Sequence, residues 1–390
     1  MGPRIPEQEY KDRIAKAAKM MAEKGLDVLI VTSTESDYAN VRYFSGLYTI
    51  WERTGVVITA AGKAGFLVGP EGLAYAQDQS CIKDIYSLRE YRESADPAYP
   101  ELTTTTFKEV FKSLGVSGSK LKIGLASHLD TNLAIYWGLQ ENFPEAEFVI
   151  ADDILIELRR RKSANELLCL KEVYRICEIA VQYCLDNIKP GMSECEIAGF
   201  AQQSILANGA EDDGMPHYIF TDRHSRHALS RPSPDQIVTK DSFLQLNISA
   251  RVDGYSGAIG IPISLGKFTE RQKELVKFGW DLHVWVKDQL KPGASAGKIA
   301  KDYYNTYKEK GYEKNFLYGP LHGLGMIEVE APWVEQTSTY SLEPGFCYQI
   351  DTFVIDDGFG LRWEEGIHVT ENGFEFFNKP LDGKLYELGF

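Results

Sequence analysis

Two stretches in the second half of the chain repeat each other. Ile188-Lys189-Pro190-Gly191-Met192-Ser193 is followed by Ile197-Ala198, and Leu290-Lys291-Pro292-Gly293-Ala294-Ser295 is followed by Ile299-Ala300, every position recurring after 102 residues. Each copy reads as a Pro-Gly turn, a Ser N-cap and the start of a helix, because a serine side chain accepts a hydrogen bond from an amide that the first helical turn leaves free. Ser193 and Glu196 also have the spacing of a capping box. The repeat predicts a duplicated half-domain, and two facing halves can build a site between them.

Upstream of the repeat the pattern is different. Glu7 to Lys24 carries apolar residues at helical spacing and stops at Gly25. Asp27–Val31, Gly55–Thr59, Gly65–Val68 and Lys122–Leu125 read as strands. Continuous apolar strands between helices predict an α/β layer whose sheet is largely covered. Asp152 to Leu206 reads as helix-rich, interrupted by the basic run Arg159-Arg160-Arg161-Lys162, which reads as a solvated boundary. The expected organisation is an α/β N-terminal domain over residues 1–158 and an α+β domain with an internal pseudo-twofold repeat over 159–390.

Composition narrows the function. The 390 residues are 44% hydrophobic and 25% charged, with a formal net charge of −14. That balance argues against a nucleic-acid partner, which needs clustered Lys and Arg, and against a polybasic membrane anchor. Met1–Tyr10 has no apolar run of the kind a secretory signal carries, and no stretch is long and apolar enough to span a bilayer. Six cysteines without a CxxC pair suit a reducing, cytoplasmic setting.

Four motifs in the second half carry chemistry. They are Leu246-Asn247 with Gly254-Tyr255-Ser256-Gly257-Ala258, His322-Gly323-Leu324-Gly325, Glu343-Pro344-Gly345 leading to Asp351, and Gly360-Leu361-Arg362-Trp363-Glu364-Glu365. His217, His224 and His227 cluster ahead of them. With the repeat, and with Asn40-Val41-Arg42-Tyr43-Phe44-Ser45-Gly46 in the first domain, these motifs resemble the creatinase/aminopeptidase P/prolidase superfamily, peptidase family M24, whose C-terminal domain has the pita-bread fold.

The resemblance implies a ligand set and shows where this chain departs from it. Metallopeptidases of the family hold two divalent ions with five ligands. Their two Asp positions, eleven apart, are Asn247 and Ala258 here. An amide is a neutral, weaker ligand and a methyl group is none. His322, Asp351 and Glu364 stand at the other three positions. The His-Glu pair of the peptidases is Val329-Glu330.

The Asn and Ala substitutions resemble the metal-free creatinase-like branch. They lead to the expectation of a metal-independent hydrolase of a small cationic C–N compound: an amidine, guanidine or betaine-like molecule, carboxylated, with ring-opening of a cyclic amidine as the preferred subclass. In that scheme carboxylates localise the substrate cation and an imidazole activates water. His227, His322, Asp351 and Glu364 would be catalytic, with His224 and His217 competing with His227 for the role of base. Arg53, Asn247, Tyr255, Trp333, Glu365 and His224 would bind substrate. Trp51 and Trp363 would assist by attracting diffuse positive charge. Creatinases carry a Glu at the position of Gly260 and an Arg at that of Trp333, so the resemblance stops short of creatine. No metal and no other cofactor are expected, and the family resemblance implies a homodimer. Two alternatives stand beside this reading: a metal-dependent Xaa-Pro peptidase or lyase with a reduced metal site, and a non-catalytic small-molecule binding protein.

Overall fold

The computed structural model describes residues 2–93 and 103–390. It divides into a compact unit over Ile5–Arg159 and a second over Arg160–Phe390, which also takes in the chain's first residues up to Arg4.

The first unit runs α1 (Glu7–Glu23), β1 (Val28–Ser33), α2 (Ala39–Ser45), β2 (Thr54–Thr59), β3 (Ala64–Val68), α3 (Leu73–Gln79), β4 (Ile85–Ser87), α4 (Phe107–Ser113), β5 (Lys122–Ala126), α5 (Leu133–Asn142), β6 (Glu147–Ile150) and α6 (Asp152–Arg160). Its six strands form one mixed sheet in the order β4-β3-β2-β1-β5-β6. β1 lies at the centre, buried along its whole length, and pairs antiparallel with β2 and parallel with β5. That burial on both faces explains why Val28–Val31 is continuously apolar rather than alternating. Gly25 ends the first helix at φ +63°, a conformation that favours glycine.

The second unit contains the repeat. The first half is α7 (Ala164–Asn187), α8 (Glu194–Ala207), β7 (Tyr218–Thr221), β8 (Phe243–Val252) and β9 (Tyr255–Ser264). The second is α9 (Glu270–Gln289), α10 (Ala296–Glu309), β10 (Leu321–Gly323), β11 (Glu330–Trp333), β12 (Cys347–Ile355) and β13 (Gly360–Thr370), followed by the short strands β14 (Gly373–Phe376) and β15 (Tyr386–Glu387). The main sheet runs β11-β10-β12-β13-β9-β8-β7, so the hairpins β8-β9 and β12-β13 meet at its centre.

Local bonding follows the duplication. Ser193 and Ser295 cap α8 and α10, accepting from the amides of Glu196 and Lys298. Gly191 and Gly293 both have positive φ, and their amides donate to the carbonyls of Val238 and Leu342, each next to an isolated bridge, Ser193 with Ile237 and Ser295 with Ser341. The fold is therefore the one the repeat predicts, an α/β unit followed by a duplicated α+β unit.

The basic run differs from expectation at one residue. Lys162 is buried and pairs with Glu330 at 3.0 Å, whereas Arg161 pairs with Glu343 at the surface. No helix among the described residues is long and apolar enough to cross a membrane. Cys169, Cys177, Cys184 and Cys347 are buried thiols, while Cys195 is exposed.

Candidate active site

Strand pairing places the acidic residues of the site. Asp351 and Glu364 are direct cross-strand partners in the β12-β13 hairpin, Glu364 stands opposite Gly260 of β9, and Gly260 opposite Asn247 of β8. One transverse row of the sheet thus reads Asp351, Glu364, Gly260, Asn247. Two carboxylates directly opposite each other repel unless something compensates them.

Alternation along β13 decides what faces what. Arg362 and Glu364 line a cavity of about 470 Å³, whereas Trp363 and Glu365 point at α9. Trp363 is fully buried, its indole N–H donating to the Val276 carbonyl. Glu365, also fully buried, accepts from His283 Nε2 at 2.9 Å, Lys287 Nζ at 2.7 Å, the Leu381 amide at 3.0 Å and Asn378 Nδ2 at 3.3 Å. Burial alone would raise its pKa. The hydrogen bond from His283 and the charge of Lys287 instead hold it down at about 2. Burial pushes His283 below its ordinary value, so Lys287 supplies the facing cation.

The cavity floor holds His322, Glu328, Asp351, Arg362 and Glu364; Phe316, Leu317, Tyr318, Trp333 and Val334 form much of its wall. All five floor residues are buried. Tyr318 links two of them, donating to Asp351 Oδ2 at 2.5 Å and accepting from Arg362 Nε at 3.1 Å. Arg362 is further fixed by its donation to the Ala228 carbonyl at 2.7 Å and by the face of Phe353, 4.2 Å from its guanidinium carbon.

What remains is a set of buried polar atoms without partners. Oε1 of Glu328, Oδ1 of Asp351, Oε2 of Glu364 and one terminal nitrogen of Arg362 have none. Buried polar groups are normally satisfied, so such a cluster marks a place built for something else. The electrostatics agree. Burial, then Asp351 and Glu328, push Glu364 well above the ordinary carboxylate range. Burial pushes Glu328 up to about 6, against the opposing pull of His322 and Arg362.

The site residues named from the sequence are only partly brought together. His322, Asp351, Glu364 and Trp333 share the cavity. Asn247 lies in the same sheet row but beneath it, fully buried and accepting from Gln245. A Cβ on Gly260 would stand 2.5 Å from the Asn247 oxygen, so a larger residue there requires Asn247 to swing away. Tyr255 is a core residue whose hydroxyl donates to Glu166 at 2.8 Å. Arg53 belongs to the N-terminal unit and feels the charge of Asp130; Trp51 belongs there too and is 79% exposed.

None of the three upstream histidines lines the cavity. His224 is bound through Nδ1 to the fully buried carboxylate of Glu194 at 2.8 Å and through Nε2 to Ser230 at 2.7 Å. Glu194 also accepts from the amides of Thr221 and Ser233, so this group ties the 221–233 loop to α8. His227 is exposed beside His224. His217 is buried against Gln202, and burial lowers it to about 4. Sequence reasoning missed Glu328, Arg362 and Tyr318 as cavity residues. The peptidase pattern points to positions 329 and 330, yet the carboxylate that enters the floor is that of Glu328, while Glu330 is consumed by Lys162.

The five-ligand set of a two-metal centre does not fit these residues. Ala258 has no donor, Asn247 is a neutral amide already engaged with Gln245, and no group of three or more His, Cys, Asp or Glu among the described residues is arranged to hold a metal ion.

Comparison with known proteins corrects the functional expectation. An Xaa-Pro dipeptidase of Pyrococcus furiosus is 24% identical over 376 residues, covering 95% of this chain and 98% of that protein. One of Pyrococcus horikoshii is 25% identical over 373 residues, covering 94% and 97%. The crystal structure of the prolidase from Pyrococcus horikoshii superposes with a TM-score of 0.80 at 22% identity, covering 95% of this chain and 99% of that one, which establishes the shared fold. These relatives are peptidases. They overturn the expectation of a metal-independent, creatinase-like amidinohydrolase acting on a non-peptide C–N bond, and they favour the Xaa-Pro peptidase alternative. Residues 13–161 match the creatinase/prolidase N-terminal domain. Residues 168–371, more than half of the chain, match metallopeptidase family M24, and the chain belongs to that family.

Proposed function

We propose that this chain is a hydrolase of short peptides of the Xaa-Pro type, acting from a site with a reduced set of metal-ligand positions. The observation that carries this reading is the cavity. Its volume of about 470 Å³ is in the range of small-molecule sites, and it sets an acidic floor with one arginine beneath an aromatic and aliphatic wall. A dipeptide ending in proline has matching parts: a cationic amine, a polar amide and a compact apolar ring. The relatives named Xaa-Pro dipeptidase support the same substrate class. Within the floor, burial pushes Glu328 above the ordinary carboxylate range, which suits a residue that takes up or returns a proton. Arg362, held by Tyr318 and the Ala228 carbonyl, presents one free N–H group to a substrate oxygen. A cytoplasmic homodimer is part of the same proposal.

A second reading is favoured by one observation. Asn247, Ala258 and Val329 stand where the peptidases carry two ligands and a proton-handling histidine. A protein that kept the cavity and lost the chemistry would bind such peptides without cleaving them. Proline release from a panel of Xaa-Pro dipeptides, with and without added manganese, cobalt or zinc, separates the two. Release above the uncatalysed rate supports the hydrolase. Saturable peptide binding without release under any of these conditions replaces it with the binding protein.

A further inference from the structure

The two-metal ligand set does not fit, yet the cavity floor is short of positive charge. Glu328, Asp351 and Glu364 are 2%, 6% and 3% exposed, and each has one carboxylate oxygen without a hydrogen-bond partner. All three line the same cavity, and Asp351 and Glu364 stand directly opposite each other across the β12-β13 ladder. Of the two basic residues in the floor, His322 pulls on Glu328, while Arg362 spends its Nε on Tyr318 and one terminal nitrogen on backbone carbonyls, and its Nε reaches Glu364 only at 3.9 Å. Three buried carboxylates against one guanidinium and one imidazole still leave an excess of acid, which a further cation or bound protons must offset.

We infer that the free oxygens of Glu328, Asp351 and Glu364 form a subsite for the α-ammonium group of a short peptide. The inference rests on the peptide reading above and deepens it by naming the group that enters first. An ammonium has three N–H donors, no acceptor and a compact charge, so three carboxylate oxygens satisfy it. Leu317, Trp333 and Val334 line the same cavity and offer apolar surface to the rest of the peptide.

The experiment is a binding measurement that does not depend on turnover. Tryptophan fluorescence on stopped-flow mixing, within the first milliseconds, reports binding of Ala-Pro and of N-acetyl-Ala-Pro to the full-length chain, as purified and after dialysis against EDTA. N-acetylation removes only the positive charge and its donors. The expected result is at least tenfold weaker binding of the acetylated peptide in both preparations. Glu328→Gln and Asp351→Asn should each shrink that ratio severalfold, with the circular dichroism spectrum of the wild type. Equal binding of the two peptides, binding of neither, or an amine preference that disappears with EDTA would overturn the subsite, the last because a metal ion would then be holding the amine. The comparison of ligands needs no variant, so a misfolded mutant does not protect the inference. Tenfold preference for the free amine without proline release would leave the subsite standing and remove the hydrolase reading instead.

Discussion

Glu365→Gln is the substitution that separates the two faces of β13. The carboxylate accepts four hydrogen bonds, two at each oxygen, from His283, Lys287, Asn378 and Leu381. A glutamine side chain has the same shape but a single acceptor oxygen, so two of those donors would face an N–H group. Lys287 would also lose its counter-ion. Removing one member of a buried charged pair typically costs about 3–5 kcal/mol. The pKa gives a second measure. A fall from 4.5 to about 2 corresponds to about 3 kcal/mol of folding stability. Because the folded-state value is depressed, that stabilisation is complete above pH 4.5 and is lost as the pH falls towards 2. Urea unfolding at pH 7, followed by the fluorescence of the neighbouring Trp280 and Trp363, should therefore show the variant about 3 kcal/mol less stable. The difference should narrow below pH 4.5, where the wild type loses the same interaction. Peptide affinity of the folded variant should be unchanged. An unaltered midpoint together with weakened peptide binding would refute the reasoning and return Glu365 to the substrate.

Other parts of the unit give independent tests. Lys162→Met leaves Glu330 buried without its cation and should destabilise the C-terminal unit by about 3 kcal/mol in urea unfolding, whereas adding Glu330→Leu should recover most of the loss; equal stability of the single and double variants would show that the pair is not coupled. His217, lowered to about 4 by burial, is neutral in the folded state and free to protonate near 6.5 once unfolded. Its contribution is present above pH 6.5 and lost as the pH falls towards 4, by about 3 kcal/mol. Replacement by Asn should flatten the stability profile in that window, and a profile of unchanged slope would count against it.

Much of the fold was legible because it is written in local chemistry. The repeated Pro-Gly turn and Ser cap fix two equivalent helix starts, and glycines at positive φ in both copies donate to equivalent extended segments, at Val238 and Leu342. The four strands read in the first unit are buried and apolar. β6 was not anticipated: Glu147 and Ile150 are exposed and only Phe148 and Val149 are half-buried, so no apolar run announces it. The site was legible where spacing along one strand was enough. Arg362 and Glu364 must share a face, and the same alternation sends Glu365 the other way, a distinction available in the sequence though not drawn from it. Tyr255 and Glu328 were less accessible. Whether Tyr255 packs inward depends on Glu166, 89 residues away. Whether Glu328 or Glu330 enters the floor depends on which one Lys162 captures. The reading of substrate class failed for a related reason: Asn247 and Ala258 report what the site has lost, and a loss does not specify a new substrate.

The central claim is that peptide chemistry happens on the acidic floor of this one cavity. Its most direct test is proline release from Ala-Pro by the wild type and by Glu364→Gln, with metal content determined on the same samples. The account predicts release by the wild type and a rate at least a hundredfold lower in the variant, whose fold is intact. Equal rates in the two proteins, or no release by the wild type with any added divalent ion, would contradict it.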